Sequence, residues 1–204
     1  MTMMHCMRRI CVFCGSSPGA RPEYLEAAVH LGHTLARNNI GLVYGGARIG
    51  IMGRVAESVL EKGGDVIGVI PKALVEKEVA FTGLADLRVV DSMHDRKALM
   101  ADLADGFIAL PGGLGTIEEF FEIVTWAQLG IHSKPCGLLN INQYFRKLMD
   151  FLDHTVTERF VEREHRSMIL MDDDPERLLR KFEAYQPPLT GKEQWVLRFS
   201  QAET

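Results

Sequence analysis

Cysteine is scarce in this chain, with four in 204 residues, too few to staple a domain of that length. Cys11 and Cys14 have a CxxC spacing, but they lie inside the apolar run Ile10-Cys11-Val12-Phe13-Cys14. Residues three apart on a strand face opposite sides of a sheet, so buried structural thiols are expected there rather than a metal chelate or a redox pair. No apolar run approaches the roughly 20 residues of a membrane span. Residues 1–9 lack both the apolar segment and the small-residue cleavage site of a secretory signal, and a cytoplasmic location is expected. A surplus of positive charge is missing too. Lysine and arginine number 23 against 27 acids, a net charge of −4, which argues against nucleic acid or an anionic membrane as the main partner. Basic groups that bind phosphate must therefore be few and local. His30 and His33 could share a helix face, but no third ligand is signalled nearby, so no metal site is expected.

What is present is an ordinary globular balance, 47% apolar and 25% charged, in a chain long enough for one well-filled domain. Strand-like runs are expected at 10–15, 41–44, 65–70, 87–91, 107–110, 135–139 and 168–171. Helical patterns fill 23–38, 50–62, 93–104, 116–129, 143–156 and 175–184, with Pro22 in the first turn of the first and Asp174 capping the last. Short apolar strands between helices imply parallel strands covered on both faces. The expected fold is therefore a single doubly wound, Rossmann-like α/β domain with a mostly parallel sheet, spanning residues 1–185 with a C-terminal extension over 186–204. Residues 72–86 form the longest stretch without clear period, and long loops in compact domains are usually functional or mobile.

Ligands of such folds sit outside the carboxyl ends of the strands. There the sequence places Gly15-Ser16-Ser17-Pro18-Gly19, Gly45-Gly46-Ala47, Pro71-Lys72, Asp91-Ser92-Met93-His94 and Pro111-Gly112-Gly113. None has the G-x-G-x-x-G spacing of a dinucleotide site, so NAD is disfavoured and a mononucleotide or sugar phosphate fits better. The most informative stretch is Pro111-Gly112-Gly113-Leu114-Gly115-Thr116-Ile117-Glu118-Glu119. Its glycines let backbone N–H groups approach a ligand, and the helix behind them aims unpaired N–H groups at the same point. Carboxylates lie within one turn. Thr116 and Glu119 also fit a capping box, a purely structural role. A second cluster, Met93-His94-Asp95-Arg96-Lys97, puts two cations in the first turns of a helix, where they oppose the macrodipole. A solvated basic pair explains this, and so does a bound phosphate with Arg96 as a planar fork.

The two clusters, read as PGGxGTxxE and MHDRK, resemble the LONELY GUY family of cytokinin riboside 5'-monophosphate phosphoribohydrolases, long mislabelled as lysine decarboxylases. Cys14-Gly15-Ser16-Ser17, Tyr44-Gly45-Gly46, Val69-Ile70-Pro71-Lys72-Ala73-Leu74 and Trp126-Ala127-Gln128-Leu129-Gly130-Ile131-His132 extend the likeness over about residues 8 to 160. The resemblance implies hydrolysis of the N-glycosidic bond of a purine nucleoside 5'-monophosphate, with no metal or organic cofactor, in a homodimer. Arg96 and Glu119 match its catalytic pair. Glu78, Lys97, Gly113, Leu114, Gly115, Thr116 and Thr125 match its substrate contacts, with Gly112 completing the glycine turn. Glu76 rivals Glu78 for its role. Thr125 lies six residues past Glu119, about 240° around a helix, so it serves another part of the ligand or the partner subunit's site. Two other readings stand beside this one. A pyridoxal-dependent decarboxylase has candidate lysines (Lys72, Lys97, Lys134) but no marked partner for the pyridine nitrogen. A non-catalytic nucleotide carrier, like the molybdenum-cofactor carrier proteins that resemble this arrangement, would not need Arg96 and Glu119 together.

Overall fold

The structure, a computed structural model, describes residues 7–75 and 80–188. Strands and helices alternate along the chain: β1 (Arg9–Phe13), α1 (Pro22–Arg37), β2 (Gly41–Tyr44), α2 (Gly50–Glu61), β3 (Val66–Pro71), α3 (Lys72–Val75) and β4 (Asp86–Val90) make the first half. The second half is α4 (Met93–Leu103), β5 (Gly106–Ala109), α5 (Leu114–Gln128), β6 (Cys136–Leu139), α6 (Arg146–Thr157), α7 (Arg163–Ser167), β7 (Ile169–Asp172) and α8 (Pro175–Glu183). The seven strands form one sheet in the order β4-β3-β2-β1-β5-β6-β7, and every pairing is parallel. This is the doubly wound α/β architecture expected, with its topological switch between β1 and β5.

Strand alternation sends Ile10 and Val12 to one face and Cys11 and Phe13 to the other. The first pair packs with α1, α2 and α8, the second with α4, α5 and the start of α6. Cys11 and Cys14 fall in different clusters, and both are buried free thiols, as their spacing predicts. Burial pushes both thiols well up, so neither is a nucleophile at neutral pH.

Three local expectations need correction. The helix after β5 opens at Leu114 with Gly113 as its N-cap, so Thr116 sits inside the first turn and the capping box does not form. The pattern read as one helix over 143–156 starts later, at Arg146, behind a 3-10 turn over Ile141–Gln143. Asn142 and Gln143 both take left-handed backbone there, φ 49° and 59°, without the glycine that usually signals it. The stretch 72–86 opens with one helical turn, α3, and Ala80 makes an isolated antiparallel bridge to Ala47. Glu76 and Glu78 lie outside the described residues, as does the expected extension from residue 189 onward.

Candidate active site

The connection from β4 to β5 decides where the charged side chains meet. β4 is an edge strand and β5 lies beyond β1, so α4 must run back across β3, β2 and β1, and it touches all three. Ser92 caps this helix, its hydroxyl accepting from the Asp95 N–H at 3.0 Å. Arg96, one residue further, points inward over the carboxyl end of the sheet. Its Nε donates to the Val69 carbonyl on β3 at 3.1 Å, and its Nη1 donates to Glu119 Oε1 on α5 at 2.7 Å. Arg96 is 6% exposed and Glu119 8%. A solvated basic pair is ruled out for Arg96.

Gly45, just past β2, has a specific steric reason to be glycine. A Cβ there would overlap the Arg96 Nη2 atom. The guanidinium is thus walled by β2, held by β3 and paired with α5. Charge-assisted bonds of this length are the strong ones. Burial nevertheless outweighs the neighbouring guanidinium at Glu119 and pushes its carboxyl above the ordinary range. A carboxyl raised in this way holds its proton more tightly than a solvated one, the direction that general acid–base chemistry uses.

Lys97, next on α4, faces the outer side of α5. Its Nζ lies 2.7 Å from Glu118 Oε1 and 2.9 Å from Glu122 Oε2. Burial acts to lower the lysine, but the two carboxylates prevail and hold its ammonium above the usual value. Thr125 donates its hydroxyl to the Phe121 carbonyl of its own helix at 2.7 Å and is exposed. The structure brings Arg96, Glu119 and the glycine turn together and leaves Thr125 on another face.

The glycine turn sits at the switch point. Gly15 N–H donates to the Pro111 carbonyl at 3.1 Å, locking the ends of β1 and β5 together. Gly15 in turn caps α2, its carbonyl accepting from the N–H groups of Ile51 at 3.1 Å and Met52 at 3.3 Å. α4 and α8 are capped by Ser92 and Asp174. α5 has neither a capping side chain nor an acid in its first turn, so its leading amides keep their donors for a ligand. A Cβ on Gly113 or Gly115 would meet nothing within 4 Å, and both φ values lie outside the left-handed region. The protein itself therefore does not require glycine at either position. Open space in front of unpaired amides is what an anion site needs. Gly112 is different, because a Cβ there would overlap the Thr116 side chain. Thr116 is buried beneath the turn.

One residue of this region carried no mark in the sequence. Tyr144, in the turn after β6, donates its hydroxyl to the Gly112 carbonyl at 2.6 Å. Among the described residues no group of three or more His, Cys, Asp or Glu side chains could hold a metal ion, and no helix is long and apolar enough to cross a membrane.

Fold and site together define a Rossmann-like α/β protein with an anion-ready helix N-terminus beside a buried arginine–glutamate pair. The family model described as possible lysine decarboxylase matches residues 52–182. A rice (Oryza sativa subsp. japonica) protein named probable cytokinin riboside 5'-monophosphate phosphoribohydrolase is 49% identical over 193 residues, covering 93% of this chain and 77% of that one. An Arabidopsis thaliana protein named cytokinin riboside 5'-monophosphate phosphoribohydrolase is 48% identical, over 92% of this chain and 88% of its own. The chain belongs to this LONELY GUY family. Solved structures share the fold at lower identity: the molybdenum cofactor binding protein of Rippkaea orientalis has a TM-score of 0.64 at 22% identity, covering 86% of this chain and 95% of that one. The molybdenum cofactor carrier protein of Chlamydomonas reinhardtii has a TM-score of 0.60 at 21% identity, over 85% of this chain and 98% of its own.

Proposed function

We propose that this chain hydrolyses the N-glycosidic bond of a purine nucleoside 5'-monophosphate, adenine or N6-substituted adenine, as its relatives' names state for cytokinin riboside 5'-monophosphates. The observation that carries the reading is the 2.7 Å Arg96–Glu119 pair, buried beside the uncapped start of α5. Breaking the C1'–N9 bond leaves the bonding electrons on the purine and develops positive charge on the ribose. The Glu119 carboxylate stabilises that charge and accepts a proton from the attacking water. Water's oxygen ends on C1', giving ribose 5-phosphate, and the net proton ends on the base. Arg96 fixes the Glu119 carboxylate through its Nη1. The amides of Gly113, Leu114, Gly115 and Thr116 hold the 5'-phosphate and so anchor the sugar for attack.

A carrier with no turnover has less support. Such a protein needs the glycine turn but gives no reason to bury an ionisable pair next to it. Incubation with AMP or an N6-prenylated AMP, followed by chromatography for free base, separates the two. The phosphate role predicts that AMP exceeds adenosine in kcat/KM by roughly 10²-fold or more. Equal turnover of the two would remove the glycine turn from the site.

A homodimer and a cytoplasmic location belong to the same proposal. Phe120, Ile123, Val124 and Ala127 already bury one face of α5 against the sheet. Leu129 and Ile131 remain 51% and 64% exposed, with Trp126 half-buried beside them, an apolar surface that a twofold partner would cover. Thr125 stands on an exposed face, where it would serve the partner's site. Sedimentation at micromolar concentration is expected to give twice the chain mass, and a monomer there would overturn the assembly.

A further inference from the structure

The turn after β6 is built at some cost to present one side chain. Asn142 (φ 49°, ψ 35°) and Gln143 (φ 59°) are left-handed in succession, a conformation that side chains with a Cβ rarely adopt. Neighbouring groups impose it. Asn140 is 5% exposed, and its Oδ1 accepts from the Phe145 N–H at 2.8 Å. Its own N–H donates to the Asp172 carbonyl at 2.7 Å, and Tyr144 N–H donates to the Ile141 carbonyl at 3.0 Å. What the turn delivers is the Tyr144 ring, packed edge-on to Tyr24 at 5.8 Å and to Phe145 at 5.0 Å. Its hydroxyl bonds the Gly112 carbonyl at 2.6 Å.

That carbonyl belongs to the peptide joining Gly112 to Gly113. In a planar trans peptide the C=O and the following N–H point in opposite directions. Holding the Gly112 oxygen toward Tyr144 therefore turns the Gly113 N–H away from Tyr144. Gly113 has open space about it and caps a helix whose first amides lack side-chain partners. Glycine on both sides leaves this peptide little intrinsic preference against flipping, so its orientation depends on external bonds. We infer that Tyr144 is a positioning residue for the phosphate site: its hydroxyl fixes the Gly112–Gly113 peptide with the N–H directed to the 5'-phosphate of the substrate. A flipped peptide would present a carbonyl oxygen to the phosphate in place of a donor.

This inference rests on the proposed phosphate role of the glycine turn, and one set of measurements separates the two. Tyr144→Phe keeps the ring and both ring contacts and removes only the hydroxyl. Steady-state kinetics with AMP and inhibition by ribose 5-phosphate are compared in the wild type and the variant. KM for AMP and Ki for ribose 5-phosphate are expected to rise together about five- to tenfold, with kcat changing less than twofold and the melting temperature unmoved. Unchanged KM and Ki in the variant overturn the positioning role, as does a loss of kcat that accompanies earlier melting. Failure of ribose 5-phosphate to inhibit the wild type overturns the phosphate reading itself, and the inference with it.

Discussion

Replacing Glu119 by glutamine is expected to lower kcat roughly 10²- to 10⁴-fold, about 3–5 kcal/mol of barrier, with the fold retained. The amide keeps the size of the carboxylate and can still accept from Arg96. It cannot take a proton from water or stabilise positive charge on the ribose. The fold is retained because the Arg96 guanidinium keeps its bond to the Val69 carbonyl and an oxygen acceptor at position 119. Burial raises the Glu119 carboxyl, which gives the wild type an acid limb in kcat/KM. Turnover should fall as pH drops through a value above the ordinary carboxylate range, and that limb should vanish from the residual activity of the variant. Near-normal turnover combined with earlier melting would return Glu119 to a structural role.

Much of this architecture is legible in the sequence because its signals are local. Apolar runs such as Ile10–Cys14 and Phe107–Leu110, each stopped by glycine or proline, mark strands without any knowledge of their neighbours. Their alternation with helical periods leaves the parallel doubly wound sheet as the economical packing. The absence of a G-x-G-x-x-G spacing turns attention from dinucleotides to the glycine turn before α5, where the space around Gly113 and Gly115 lies open.

The relations that complete the site are not local. Arg96 and Glu119 come from different helices, 23 positions apart, and their pairing depends on α4 crossing three strands. The motif resemblance names both residues, whereas periodicity alone leaves Arg96 a surface cation and Glu119 a capping acid. The capping box fails for a specific reason: the helix starts at Leu114 with Gly113 as its cap, two residues before Thr116. Gly45 reads as a turn former until Arg96 is seen to fill the space of its missing Cβ. Tyr144 has no sequence mark at all. Asn142 and Gln143 reach left-handed backbone without a glycine, so the pattern around them looks like continuous helix. What fixes them is the buried Asn140 and the β7 carbonyl of Asp172, contacts that exist only once the sheet is assembled.

The buried pair should respond asymmetrically when its other partner is removed. Arg96→Met puts an apolar chain of similar length along the same path and leaves Glu119 buried with no counter-charge. Breaking a buried pair in this way costs about 3–5 kcal/mol when the remaining group must stay ionised. Glu119 can avoid that cost by binding a proton, so the loss depends on pH. A carboxyl whose folded pKa lies above its unfolded value contributes most stability below the unfolded pKa and loses it as pH rises through the folded one. Burial already sets that direction in the wild type, and removing the guanidinium, the chief influence holding the carboxyl down, extends the window upward. Denaturant melts from about pH 5 to about pH 8 are therefore expected to show Arg96→Met losing stability progressively with rising pH, much more steeply than the wild type. Turnover should fall at least about 10²-fold at every pH, because the carboxylate loses the cation that holds it and favours its ionised form. The double variant Arg96→Met/Glu119→Gln should recover the lost stability at high pH and none of the activity. A single variant whose destabilisation is the same across that range would mean that lost packing, not the stranded carboxylate, sets the cost.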